Sequence, residues 1–133
     1  LELFEGARDL LDSLREQGYL LAVATGKARR GLARAMSAMG LDEVFHATRC
    51  ADESFSKPHP GMLLELMDEL MVEPSRTLMV GDTTHDLLMA KNAGVAALAM
   101  SYGAHPLEIL VAEAPEAVLH SIADLQAWLA CHG

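Results

Sequence analysis

The stretch "TLMVGDTTHDLLMAKNAGVAALAM", residues 77–100, contains one complete turn of the architecture. An apolar run ends at Gly81, a helical segment near residues 84–93 closes at Gly94, and a second apolar run follows at "VAALAM". Two continuous apolar strands joined by a helix read as a parallel pair, because an antiparallel pair needs only a short turn between its strands. The same alternation extends in both directions. Upstream, Ala7, Leu10, Leu11 and Leu14 fall on one helical face ahead of Gly18, and "YLLAVAT" reads as a buried strand. Ala28, Leu32, Ala35, Met36 and Met39 form the next face, closed by Gly40, before a weaker strand around "FHAT". A helix from about Pro60 turns Leu63, Leu66, Met67 and Leu70 inward, and its methionine-rich face at 62–71 reads as core packing. Downstream come a short helix after Pro106, a strand "AVLH" and a last helix through Trp128. The expectation is an α/β domain spanning 1–133, a Rossmann-like parallel sheet between two helical layers.

Composition excludes several functions. The 133 residues are long enough for a real core, and 51% of them are apolar. A formal charge of −9 argues against nucleic acid or an anionic membrane as partner, since both need clustered cations. Two cysteines, Cys50 and Cys131, suggest neither a disulfide framework nor a zinc motif, and with no apolar run of membrane-spanning length a cytoplasmic setting is expected. His46, His85, His105, His120 and His132 lack the spacing of a two-histidine metal helix and read as loop or surface residues.

In parallel sheets, ligands bind beyond the carboxyl ends of the strands, and three polar groups stand at such ends. In "VATGK", residues 23–27, a strand stops at Thr25 and Gly26 lets backbone approach a ligand. The Thr25 hydroxyl, the amides of Gly26 and Lys27 and the positive end of the next helix would together suit a phosphate. In "FSKPHP", residues 55–60, Pro58 biases Lys57 to extended backbone, from which its ammonium can be aimed inward as a point charge for phosphate, with His59 at the helix entrance. In "GDTTHD", Asp82 follows a strand-ending glycine and Asp86 lies about one helical turn on, so both can face one pocket. Asp82 or Thr83 capping the helix would leave Asp86 unexplained. Two like charges one turn apart call for a cation, and a hard, oxygen-preferring ion such as magnesium suits them. A phosphorelay receiver domain uses Asp, Thr and Lys in that chain order; here the order is Thr, Lys, Asp.

These motifs resemble the haloacid dehalogenase superfamily, and within it the phosphoglycolate phosphatase-like branch. "VATGK" resembles its second motif, "SKPHP" its third, "VGDTTHDLLMAKNAG" its fourth, and "SYGAHPLEIL" with "PEAVLHSIADLQAWL" its closing helices and strand. The resemblance implies that Thr25 contacts phosphate, that Lys57 stabilises the phosphoryl group and the nucleophile, and that Asp82 ligates Mg2+ with Asp86 in support. It implies phosphate monoester hydrolysis through an aspartyl-phosphate, on a small phosphorylated metabolite. The family's first motif, an Asp-x-Asp pair that supplies nucleophile and general acid, has no counterpart: Asp9 and Asp12 fall inside the first helix with the wrong spacing. The cap domain, where the family's substrate selectivity largely resides, has none either.

The sequence thus looks like the part of a phosphatase downstream of its cap, lacking the central strand that lies in the family between the strands ending at Thr25 and Gly81. Those two strands are expected either to close up or to receive another segment, with dimerisation or swapping as a consequence, and the chain alone is expected to be inactive. The rival readings are a non-catalytic phosphate- and magnesium-binding or regulatory domain, and a dehalogenase that attacks carbon without a metal.

Overall fold

The computed structural model describes residues 6–102 and 105–132. Helices and parallel strands alternate: α1 (Ala7–Glu16), β1 (Ala22–Thr25), α2 (Arg29–Met39), β2 (Ala47–Cys50), α3 (Gly61–Leu70), a 3-10 turn (Pro74–Arg76), β3 (Leu78–Gly81), α4 (Thr84–Ala93), β4 (Ala96–Met100), α5 (Leu107–Ala112), β5 (Ala117–Leu119) and α6 (Ile122–His132). The expected α/β alternation is the one observed, and helix ends fall where punctuation in the sequence put them. Gly40 and Gly94 terminate α2 and α4 in the left-handed conformation that a side chain makes costly. Among the described residues no helix is long and apolar enough to cross a membrane.

Strand β4 shows how the layers are built. Its residues alternate across the sheet, as a period of two requires. Ala97 and Ala99 point into a cluster with Met62, Leu63 and Met67 of α3 and Leu87, Met89 and Ala90 of α4. Leu98 and Met100 point the other way, into a cluster with Leu10 of α1 and Ile122 and Leu125 of α6. Small residues on one face leave room for the large methionines of α3 and α4, which supports the core-packing reading of that methionine face. Met71 departs from it: it ends α3 at φ 55° and is 91% exposed.

The strands form two sheets. β1 pairs with β2 from Ala22↔Ala47 to Thr25↔Cys50, while β3, β4 and β5 pair in that order. Among the described residues no ladder joins β1 to β3, so the two strands neither close up nor take another strand between them. The two sheets share one core, because Ala24 of β1 and Met79 of β3 both pack against the cluster centred on α3 and α4. The bare edges have a cost in exposed apolar surface: Val80, in the middle of β3, is 39% exposed. The reading of "YLLAVAT" as a buried strand is corrected accordingly. Tyr19 and Leu20 precede β1 and are 38% and 47% exposed, since a strand without a neighbour on one side cannot cover its approach. β2 begins two residues later than expected, because His46 is used to dock its start: its backbone N–H donates to Leu21 O at 2.7 Å and its Nδ1 accepts the Leu21 N–H at 2.9 Å.

Candidate active site

The turn from β3 into α4 is organised by the carboxylate of Asp86. Thr83 is the cap of α4, its Oγ1 accepting the Asp86 N–H at 3.2 Å. Asp86 Oδ2 in return accepts the amides of Asp82 at 3.2 Å and Thr83 at 3.3 Å and the Thr83 hydroxyl at 3.1 Å. This reciprocal capping box satisfies donors that a helix start would otherwise leave open. Asp86 is nonetheless only 4% exposed, and a buried carboxylate needs more than amides. The further partner is Lys57, whose Nζ lies 2.5 Å from Asp86 Oδ1.

That contact adds to the account of the acidic pair. The cation that makes Asp86 tolerable beside Asp82 is the Lys57 ammonium. Both oxygens of Asp86 accept hydrogen bonds from protein donors, Oδ1 from Lys57 and Oδ2 from the Asp82–Thr83 turn. Its role is to hold Lys57 and the Asp82–Thr83 turn. Gly81 is explained by the same packing, because a Cβ there would sit 2.3 Å from Asp86 Cβ and 2.6 Å from Oδ2. No side chain fits at residue 81 while Asp86 is in place.

Lys57 reaches Asp86 from the loop between β2 and α3. The loop is pinned to α4 by Asn92 Nδ2, which donates to Pro58 O at 3.1 Å; the Lys57–Pro58 peptide is cis. Beyond it, His59 Nδ1 accepts the Gly61 N–H at 3.0 Å, the polar role at the entrance of α3 read from the sequence. Phe55 stacks on His59 with ring centroids 4.1 Å apart.

Thr25 ends β1, and its Oγ1 accepts the Lys27 N–H at 3.1 Å, leaving the hydroxyl hydrogen to donate elsewhere. Gly26 is open, with nothing within 4 Å of where a Cβ would project. Part of the expected phosphate cradle is engaged within the protein. The Lys27 amide is taken by Thr25, and the Arg29 N–H at the start of α2 donates to Asp52 at 3.1 Å. A carboxylate from the adjoining loop therefore caps the positive end of α2. The structure brings Lys57, Asp82 and Asp86 into one hydrogen-bonded unit. Thr25 makes no hydrogen bond to any of them; like Asp82, it stands at the end of a parallel strand.

Two groups near this unit had no signal in the sequence. His105 Nδ1 accepts the Thr84 N–H at 3.0 Å, so the loop after β4 caps the first amide of α4, and the exposed His85 lies edge-on to the His105 ring at 5.8 Å. Tyr102, in the same loop, has its hydroxyl pKa raised, first by burial and then by the negative charge of Asp82. On the β2 side, Arg29 holds Glu53 through Nη2 at 2.6 Å and Nε at 3.0 Å, and this hydrogen bonding lowers the Glu53 pKa. Cys50, fully buried at the end of β2, has its thiol pKa raised by burial. Among the described residues no three His, Cys, Asp or Glu side chains group as a metal site. The available anionic donor is the half-buried Asp82 carboxylate, which suits an ion that takes one protein carboxylate and completes its shell with water and substrate oxygens, as magnesium does.

The family model of haloacid dehalogenase-like hydrolases matches residues 1–100. The chain belongs to this family. It is 40% identical over 124 residues to the probable phosphatase IndB of Dickeya dadantii, covering 92% of this chain and 54% of that protein. Pyrophosphatase PpaX of Halalkalibacterium halodurans is 35% identical (94% and 59% covered), and the phosphoglycolate phosphatase of Mannheimia succiniciproducens 32% (92% and 55%). Among solved structures, a predicted phosphoglycolate phosphatase from Haemophilus somnus superposes with a TM-score of 0.88 at 27% identity, covering 96% of this chain and 57% of that one. A haloacid dehalogenase family hydrolase from Deinococcus radiodurans, solved with bound phosphate and sodium, gives 0.86 at 26% identity, covering 95% and 58%. The chain spans about half the length of the curated relatives it matches.

Proposed function

We propose that this chain carries the phosphate-holding and charge-stabilising part of a magnesium-dependent phosphatase site that acts in the cytoplasm on small phosphorylated metabolites. One observation carries the reading: a lysine ammonium is fixed at 2.5 Å on a buried aspartate that also sets the turn bearing Asp82. Phosphoryl transfer is governed by positioning and by neutralising charge on the transferring oxygens, and a cation anchored in this way needs no reorganisation when the charge develops. In this reading the Thr25 hydroxyl and the Gly26 amide donate to phosphoryl oxygens, Lys57 faces them with its positive charge, and Asp86 acts through Lys57 as a positioning residue. Asp82 would hold Mg2+, which when bound supplies Lewis-acid neutralisation of the phosphate. Relatives named as phosphatases, and one solved with phosphate bound, support this choice over a dehalogenase.

The nucleophile is a separate question. Asp12 pairs with Arg8 on the exposed side of α1 at 3.3 Å, and Asp9 is exposed on the same helix, so neither is a candidate. Hydrolysis through an aspartyl-phosphate in the parent protein needs a carboxylate delivered between the ends of β1 and β3. The chain alone should bind phosphate yet turn over slower by a factor on the order of 10⁴ or more, as when a covalent nucleophile is deleted. The bare edges of β1 and β3 also favour a homodimer or strand-swapped oligomer. The test is calorimetric titration with inorganic phosphate and Mg2+ beside p-nitrophenyl phosphate hydrolysis. Binding that is lost in Lys57→Ala, with near-background turnover, is the expected result. Robust turnover refutes the missing nucleophile, and absence of phosphate binding refutes the site.

A further inference from the structure

Three successive amides run through the turn that carries Asp82. Those of Asp82 and Thr83 donate to Asp86 Oδ2 at 3.2 and 3.3 Å, and the third, of Thr84, donates to His105 Nδ1 at 3.0 Å. Asp86 reaches back four residues within one local unit, whereas His105 arrives from 21 residues downstream, in the loop after β4. The turn is therefore held from two sides. Lys57 fixes Asp86 from the loop after β2, and His105 fixes the start of α4 from the loop after β4.

The Thr84 amide has no acceptor of its own within α4, because the first N–H groups of a helix lie ahead of its carbonyl ladder. The cap residue Thr83 does not serve it, since that hydroxyl oxygen accepts the Asp86 N–H instead. His105 is the acceptor that closes this gap. An accepting Nδ1 carries no hydrogen, so the ring hydrogen is on Nε2. The loop bearing His105 lies against the acidic turn at a second point: the hydroxyl pKa of Tyr102 is raised by burial and, beyond that, by the charge of Asp82.

We propose that His105 is a positioning residue for the cation site at Asp82. Its Nδ1 fixes the third amide of the turn, and so the backbone from which the Asp82 carboxylate projects, which makes the loop after β4 part of the site. The inference rests on the reading of Asp82 as the Mg2+ ligand and adds to it a residue outside the three motifs. Coupling between two sites is reciprocal, so Mg2+ at Asp82 should in turn hold the His105–Thr84 bond closed.

Asparagine and glutamine separate this role from bulk. The Asn side-chain oxygen lies one bond beyond Cγ, as Nδ1 does, whereas Gln reaches the position of Nε2. The isotope-labelled full chain and its His105→Asn, His105→Gln and His105→Ala variants are titrated with Mg2+ by NMR, and hydrogen exchange is followed at the Thr84 amide. In the native chain Mg2+ should slow that exchange, a result that needs no variant to fold. His105→Ala and His105→Gln should speed it and weaken Mg2+ binding about threefold to tenfold, the effect of one net hydrogen bond, while His105→Asn stays within about twofold of the native chain. Faster exchange at Thr84 with unchanged Mg2+ affinity would make His105 a helix cap and nothing more, and overturns the proposal. An Asn variant as impaired as the Ala variant does the same. If the native chain shows no Mg2+ response at Asp82, the metal reading falls and the positioning role with it. A Mg2+ response equal in all four proteins overturns the positioning role alone and leaves that reading standing.

Discussion

Lys57 and Asp86, 29 residues apart, meet at 2.5 Å with the carboxylate almost wholly buried, and this contact joins the loop after β2 to the start of α4. A single ion pair thereby sets the relation between two of the three motifs, and its two partners are not equivalent. Asp86 also accepts three hydrogen bonds from the Asp82–Thr83 turn, whereas the Lys57 ammonium has Asp86 as its ion-pair partner.

Removing either partner should reveal that asymmetry. Asp86→Ala strands a partly buried ammonium and dismantles the capping box, and is expected to lower stability by about 3–5 kcal/mol in urea unfolding. Lys57→Ala leaves Asp86 held by three donors and should cost less. Equal losses would mean that the turn does not depend on the carboxylate.

Gly81→Ala places a Cβ 2.3 Å from Asp86 Cβ and 2.6 Å from Oδ2, on a short side chain held by its own hydrogen bonds. Overpacking of this kind costs about 1–3 kcal/mol. Because the displaced group is the one that holds Lys57, the substitution should weaken phosphate binding as well as stability. Gly94→Ala is the comparison: it meets nothing within 4 Å, is strained only by its positive φ, and should leave phosphate affinity unchanged.

The Arg29–Glu53 pair gives a pH dependence of defined sign. The Glu53 pKa is lowered in the folded state, chiefly by its hydrogen bonds from Arg29. A depressed carboxyl contributes stability above its unfolded pKa, about 4.3, and loses it as pH falls through the lower folded value. The difference in urea midpoint between the native chain and Glu53→Gln should therefore be present at pH 6–7 and vanish in the acid range. A difference that grows on acidification would reverse the assignment.

The two thiols should react at different rates. Cys131 is exposed, whereas Cys50 is fully buried with its pKa raised by that burial. Only the thiolate attacks, so one equivalent of a thiol reagent should be consumed quickly and the second only on unfolding. Two fast thiols would mean that the end of β2 opens in the native state.

What could be read from the chain itself was whatever depends on neighbours in sequence. Helix faces such as Leu63, Leu66 and Met67, the glycines that end α2 and α4, and the apolar runs that become β3 and β4 follow from periodicity and backbone freedom. Thr25 and Asp82 could be selected because each stands at a strand end in a recognisable motif, and Lys57, in the loop after β2, because of the motif it shares with Pro58. Choosing the partner of each charge required distances that no spacing encodes. The sequence offered a bound metal as the cation beside the acidic pair, and the fold adds the Lys57 ammonium on Asp86. It offered the start of α2 as a phosphate cradle, and the fold put Asp52 there.

The amino-acid sequence therefore determined the alternation of helix and strand, the membership of the family, and which side chains are candidates for chemistry, because these rest on local propensity and pattern. Tertiary structure alone decided that Asp86 pairs with Lys57, that β1 and β3 share no ladder among the described residues, and that His105 accepts the first amide of α4. Each of these depends on segments 20 or more residues apart arriving at one point, and it is the packing of α3 and α4 on the sheet that brings them there.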